Sequence, residues 1–172
     1  SYHIERITIK EKRMKKQDKL KIALLHLSPK KGDFHYNRLM IRAALALAEG
    51  YETQLSVTGE VAEYGYPVAS FKDLRHLPYF PNSFIFNLQD VARKYKMHLL
   101  LGLLEKNREH NEIDNAAIHI NAWGKLQAYY RKINLINSLE YHFYTSGEEI
   151  ICTEIEGIRI GILIGEDILK KE

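Results

Sequence analysis

Between Ser83 and Leu104 the sequence switches from one hydrophobic period to another, and that switch confines the chain to folds that lay helices on a sheet. Phe84 to Tyr95 places Leu88, Val91 and Ala92 on one face and Asp90, Arg93 and Lys94 on the other, as an amphipathic helix does, with Ser83 as its expected N-cap. His98 to Leu104 is then apolar almost throughout, the pattern of a strand buried on both faces. The pairing occurs earlier in the opposite order. Ile22-Ala23-Leu24-Leu25 reads as a buried strand, and Ser28 to Asp33 as its exit loop. Asn37 to Glu49 follows with a helical distribution of Leu39, Ala43, Leu45, Ala46 and Leu47, and Gly50 is the expected stop.

Downstream the pattern becomes strand and turn. Asn115 to Asn121 and Leu126 to Tyr130 flank Ala122-Trp123-Gly124-Lys125, and Ile150 to Ile155 and Ile158 to Ile164 flank Glu156-Gly157, giving two hairpins. The expected class is α/β, with both parallel and antiparallel neighbours in the sheet. Residues 1–9 are β-prone, and the Lys-rich stretch to Lys19 reads as a solvated basic extension, leaving 20–172 as the domain.

Composition narrows the function classes. The 172 residues suffice for one core, and 45% hydrophobic with 27% charged residues excludes a disordered chain, a collagen-like repeat and a disulfide-stapled miniprotein. No apolar run approaches the roughly 20 residues that cross a bilayer, so no membrane partner is expected. No secretory leader opens the sequence, and the lone Cys152 has no internal disulfide partner, which together point to the cytoplasm. The formal charge is +3, yet Glu5 to Lys21 alone holds eight basic and three acidic residues. The excess is therefore local, and nucleic acid is not the expected partner.

Several chemistries drop out by pattern. Neither G-x-G-x-x-G nor a P-loop is present, so no nucleotide cofactor is expected. Eight histidines (3, 26, 35, 76, 98, 110, 119 and 142) are scattered singly without a helical pair, and with one cysteine no metal site is expected. Each lone histidine reads as structural or exposed. Tyr129-Tyr130-Arg131-Lys132 offers aromatic and basic groups for RNA, but no partner strand supports that use. The loop Glu60 to Asn82 carries Tyr64, Tyr66, Phe71, Tyr79 and Phe80, which either line a pocket or belong to the core.

Three segments taken together resemble the nitrilase (carbon–nitrogen hydrolase) superfamily. Lys21 to Asp33 with the helix to Gly50 is similar to the family's opening strand, its x-P-x-x-G-D turn and its first helix. Asn115-Ala116-Ala117, Gly124-Lys125 and Tyr130-Arg131-Lys132-Ile133-Asn134-Leu135 resemble the N-[ST]-A … G … Y-R-K-x-H-L block. Glu140 to Gly147 and Gly157 to Asp167 resemble E-x-x-x-[FY]-x-x-G followed by G-x-[KR]-[IV]-G-x-x-I-C-x-D. The resemblance implies an α-β-β-α sandwich with mixed sheets. It also implies a chemistry in which a thiolate attacks a C–N carbon, a carboxylate moves protons and a lysine ammonium holds the oxyanion.

By that resemblance the lysine role falls on Lys132, and the glutamate that orients it falls on Glu140; the competing reading of Lys132 is an ordinary surface lysine. The base position falls on Gln54 within Thr53 to Gly59, where an amide cannot act as general base, and the strand leading to it is about four residues short. The nucleophile position falls on Gly165, which has no side chain. Cys152 sits on the preceding strand and reads as a buried structural thiol. Glu166 and Asp167 are assigned to shape and hydrogen bonding. The family fold also carries a second half after the nucleophile turn, so a fragment, a degenerate domain or a sandwich completed by another chain is expected.

The reading that follows is a nitrilase-like domain without hydrolase activity, acting by binding or assembly. Its partner is a second copy or a protein that completes the sandwich. The alternative is an amidase-type hydrolase of Cys-Glu-Lys mechanism in inactivated or incomplete form, with a small amide or nitrile as its ligand.

Overall fold

A computed structural model describes residues 19–66, 74, 77–108 and 111–169. The β-prone start, the basic run from Arg6 to Lys16, Phe71, and histidines 3, 76 and 110 lie outside the described residues. Strand β1 (Ile22–Leu25) is followed by helix α1 (Phe34–Gly50), β2 (Leu55–Thr58), α2 (Ser83–Tyr95), β3 (His98–Lys106), β4 (Ile113–Ile120) and β5 (Leu126–Arg131). A short helix α3 (Ser138–Phe143), β6 (Ile151–Ile155), β7 (Ile158–Ile162) and a 3-10 turn (Gly165–Ile168) complete the order. The architecture is α/β with a mixed sheet.

The first five strands form one sheet in sequence order, parallel from β1 to β3 and antiparallel from β3 to β5. Both parallel connections carry a helix, and α1 and α2 cover one face of the sheet. Ile41, Leu45 and Ala48 of α1 and Phe84, Ile85, Leu88 and Ala92 of α2 pack there on Leu99, Leu101, Leu103, Ile118 and Ile120. Each large aliphatic side chain buried in this way contributes about 1.5–3 kcal/mol. The opposite face takes the antiparallel β6–β7 hairpin, where Ile162 and Ile164 meet Ala117 and Tyr130. Helix layer, sheet and hairpin therefore stack in that order.

The structure corrects several local expectations. In α1 the buried stripe is Asn37, Ile41, Leu45 and Ala48, while Leu39 and Leu47 face solvent. Apolar content alone set the helix in the wrong phase, because Asn37 is held inside by bonds to the Lys30 and Glu63 carbonyls. Gly50 is the last residue of α1, as expected of a stop, but Tyr51 is the C-cap and Glu52, not the glycine, takes the left-handed conformation at φ 54°. Asn82, not Ser83, caps α2, its side chain accepting from the N–H groups of Phe84 and Ile85.

Strand β2 and helix α3 lie where the sequence reads as loop. Both are short, and β2 is recruited by parallel pairing on each side. Cys152 is exposed rather than buried, because Thr153 and Ile155 take the inward positions of β6 and strand alternation turns Cys152 out. Of the loop aromatics, Tyr64 is core and packs edge-on against Phe34, whereas Tyr66 and Tyr79 are exposed.

Candidate active site

Lys132 follows the last residue of β5, and its backbone N–H continues the ladder to the Asn115 carbonyl of β4. Its side chain is not at the surface: it is 1% exposed, and that overturns the ordinary-lysine reading. The ammonium Nζ lies 3.0 Å from Glu60 Oε1, 3.0 Å from Glu140 Oε1 and 3.1 Å from Glu166 Oε2. An ammonium has three N–H donors, so each has a carboxylate to meet. Burial opposes the charge, but the hydrogen bonds to Glu60 and Glu140 outweigh it and hold the Lys132 pKa above its ordinary value.

Each carboxylate comes from a different part of the chain. Glu140 lies in α3, whose N-cap Asn137 accepts from the Glu140 N–H, and its Oε2 accepts from the Ile136 N–H. Glu60 lies just past β2 and is fixed by close backbone approach. Gly102 N–H donates to Thr58 Oγ1, and Ala62 N–H donates to the Gly102 carbonyl. A Cβ on Gly102 would lie 2.3 Å from the Gly59 carbonyl oxygen, so only glycine lets the Glu60 loop sit this close to β3. Asn115 Nδ2 then donates to Glu60 Oε1 over 2.7 Å.

Glu166 and Asp167 bring in the turn after β7. The Glu166 pKa is lowered by its own backbone N–H first and by Lys132 second. Asp167 Oδ2 accepts from the Tyr130 hydroxyl at 2.5 Å and from the Ile133 N–H, and Oδ1 accepts from the Asn134 N–H at 2.6 Å. Burial resists its ionisation, but these donors prevail and its pKa falls. Asp167 thereby ties the turn to residues on both sides of Lys132.

Gly165 stands at the centre of this arrangement with φ +52°, a conformation that favours glycine. A Cβ there would lie 3.2 Å from Glu60 Oε2 and 3.5 Å from Lys132 Nζ. Gly165 and Glu60 also line a cleft of about 180 Å³ whose walls include Leu100, Ala117 and Ile162. A side chain at Gly165 would thus reach a carboxylate, an ammonium and the cleft together.

The fold brings Lys132, Glu140 and Gly165 to one place and leaves Gln54 out of it. Gln54 precedes β2 at the far end of that strand, and its Oε1 accepts from the Lys21 N–H. Of the three carboxylates against Lys132, Glu60 is the one that the sequence reading missed. The signal was present: Glu60-Val61-Ala62-Glu63-Tyr64-Gly65 repeats the spacing of Gln54 to Gly59 six residues later, and it removes the short-strand anomaly. Cys152 pairs with Gly161 in the hairpin, away from the turn at Gly165. Among the described residues no group of three or more His, Cys, Asp or Glu side chains is arranged to hold a metal ion.

The carbon–nitrogen hydrolase family model matches residues 21–172, and the chain belongs to that family. It is 29% identical over 160 residues to the glutamine-dependent NAD(+) synthetase of Thermotoga maritima, covering 87% of this chain and 26% of that protein. An amidase from Nesterenkonia sp. superimposes with a TM-score of 0.75 at 24% identity, over 87% of this chain and 56% of that one. A cysteine-to-alanine mutant of the Nesterenkonia amidase gives a TM-score of 0.76 over 88% and 57%. The chain thus spans about a quarter of the curated relative and little more than half of the solved amidases. The nitrilase-type sandwich expected from the sequence is the fold observed, over this partial length.

Proposed function

We propose that this domain acts by binding and does not hydrolyse carbon–nitrogen bonds through a covalent thiol route. The observation that carries the reading is Gly165: no side chain stands where Glu60 and Lys132 converge. Loss of a nucleophile from such a unit lowers the rate on the order of a millionfold, while the proton-handling carboxylate and the ammonium remain as hydrogen-bonding groups.

The ligand class in this reading is a primary carboxamide. Two relatives support it. One is described as glutamine-dependent, and a cysteine-to-alanine mutant of the Nesterenkonia amidase is described in complex with butyramide. Assembly is part of the same reading. Ile22 and Leu24 of the edge strand β1 are 48% and 79% exposed on the face away from the helices, which supports a further polypeptide layer over them. A reducing, cytoplasmic setting fits the exposed lone Cys152. No helix among the described residues is long and apolar enough to cross a membrane.

The alternative, a hydrolase in inactivated form, draws support from Glu60, a carboxylate 3.0 Å from the Lys132 ammonium. Ammonia release from glutamine and butyramide by the unaltered chain tests the binding reading. The binding reading expects saturable binding with no release above background. Release by the unaltered chain, abolished in Lys132→Ala, would overturn it.

A further inference from the structure

The inner face of the five-stranded sheet carries a hydrogen-bonded chain that the candidate active site does not use. His98 of β3 and His119 of β4 stack with Nδ1 of the first 2.9 Å from Nε2 of the second, both rings buried. His119 Nδ1 lies 2.7 Å from Thr153 Oγ1 of β6, and His98 Nε2 lies 3.3 Å from Glu156 Oε1 in the β6–β7 turn. We propose that His98 and His119 form a one-proton relay that makes the docking of the β6–β7 hairpin, and of the Gly165–Ile168 turn that follows it, depend on pH.

Hydrogen-bond roles fix the argument. A carboxylate only accepts, so His98 Nε2 carries a proton and, in the neutral ring, Nδ1 is a lone pair. His119 Nε2 must then donate to it, His119 Nδ1 is a lone pair, and Thr153 donates to that. Every group is satisfied with both rings neutral. Adding one proton reverses the direction of the chain without breaking it. His98 becomes imidazolium and donates to both Glu156 and His119 Nε2, and His119 Nδ1–H now donates to Thr153. A second proton has no place, because two N–H groups would face each other across 2.9 Å.

The groups facing the pair agree with this order. On His98 the facing charge is Glu156, half exposed, with the Trp123 ring edge-on at 6.3 Å. On His119, burial first and the charge of His98 second depress its pKa to about 4. The remaining charged residues of the hairpin strands, Glu154 and Arg159, are cross-strand partners on the opposite face. Thr153 and Glu156 both belong to the hairpin, so the second proton acts on the contact between the two sheets.

The test uses the unaltered chain and the variants Glu156→Gln and Thr153→Val. Trp123 is the only tryptophan, and its fluorescence reports the charge on His98. Imidazole nitrogen NMR reports the tautomers, and amide hydrogen exchange reports hairpin docking. The expected result is Nε2–H on both rings at high pH and a first, single-proton step that quenches Trp123 and moves the His119 proton to Nδ1. A second step near pH 4 then lowers protection at least tenfold in β6–β7 while β3 and β4 keep theirs. Glu156→Gln weakens the preference for Nε2–H on His98 at high pH, and Thr153→Val makes the protonated chain less favourable. Independent titration of the two rings, or simultaneous loss of protection in both sheets, would overturn the proposal.

Discussion

Lys132 Nζ and Glu60 Oε1 are 3.0 Å apart although 72 residues separate them in the chain. The contact exists because β5 delivers the lysine, the Gly102 approach holds the Glu60 loop, and Asn115 braces the carboxylate from between them. The consequences of that assembly are measurable one group at a time.

Replacing Lys132 by Met leaves Glu140, 3% exposed, without its cation. Breaking a buried pair from one side costs about 3–5 kcal/mol, and the variant should lose stability on that scale in urea unfolding. A loss within the ~1 kcal/mol typical of an exposed pair would show that the cluster is solvated.

Gly102→Ala drives a methyl group to 2.3 Å from the Gly59 carbonyl. Overpacking of this kind costs about 1–3 kcal/mol, and the strain falls on the Glu60 loop. The expected outcome is a lowered unfolding midpoint together with chemical-shift changes at Glu60 and Asn115. An unshifted Glu60 would remove Gly102 from the account of how that carboxylate is placed.

Glu105 is fully buried on β3, opposite Asp114, and among the described residues neither of its carboxyl oxygens has a hydrogen-bond partner. Burial, then the nearby Glu63, pushes its pKa up from 4.5 to about 9. A folded-state pKa above the unfolded one means that the fold favours the protonated form. The contribution is therefore complete below pH 4.5 and is lost as pH rises towards about 9. Urea midpoints measured across that range should fall with pH, and Glu105→Gln should flatten the fall. An equal slope in the variant would contradict the assignment.

Asp167 has the opposite sign. Its pKa is lowered in the fold, so its contribution is present above the unfolded value and lost as pH falls through the folded one. In Asp167→Asn an amide N–H must face the donors Tyr130, Ile133 or Asn134, leaving buried groups unsatisfied at about 1–3 kcal/mol. The variant should be destabilised at neutral pH and converge on the unaltered chain in acid.

Strands β3 to β5 and the hairpin β6–β7 were legible because their apolar runs are long or are bounded by turn residues such as Gly124 and Gly157. Lys132, Glu140 and Gly165 were found through motif spacing, and the fold sets them together. Glu60 was missed because Gln54-Leu55 and Glu60-Val61 offer the same local pattern, and only the pairing of β2 with β1 and β3 sets the register between them. The phase of α1 was hidden for a related reason: Asn37 is polar in composition but buried by its backbone partners. The His98–His119 pair was invisible along the chain, since the residues are 21 apart and meet only across β3 and β4.

The central claim is that Gly165 alone closes the covalent route and leaves Glu60, Lys132 and Glu140 as a binding site. Gly165→Cys tests it, once circular dichroism shows the variant folded despite about 1–3 kcal/mol of strain at a positive φ. The account predicts that Gly165→Cys releases ammonia from glutamine or butyramide and shows an acyl adduct by intact mass, and that Glu60→Gln in the same background removes turnover. A folded Gly165→Cys that forms no adduct and releases no ammonia would contradict it.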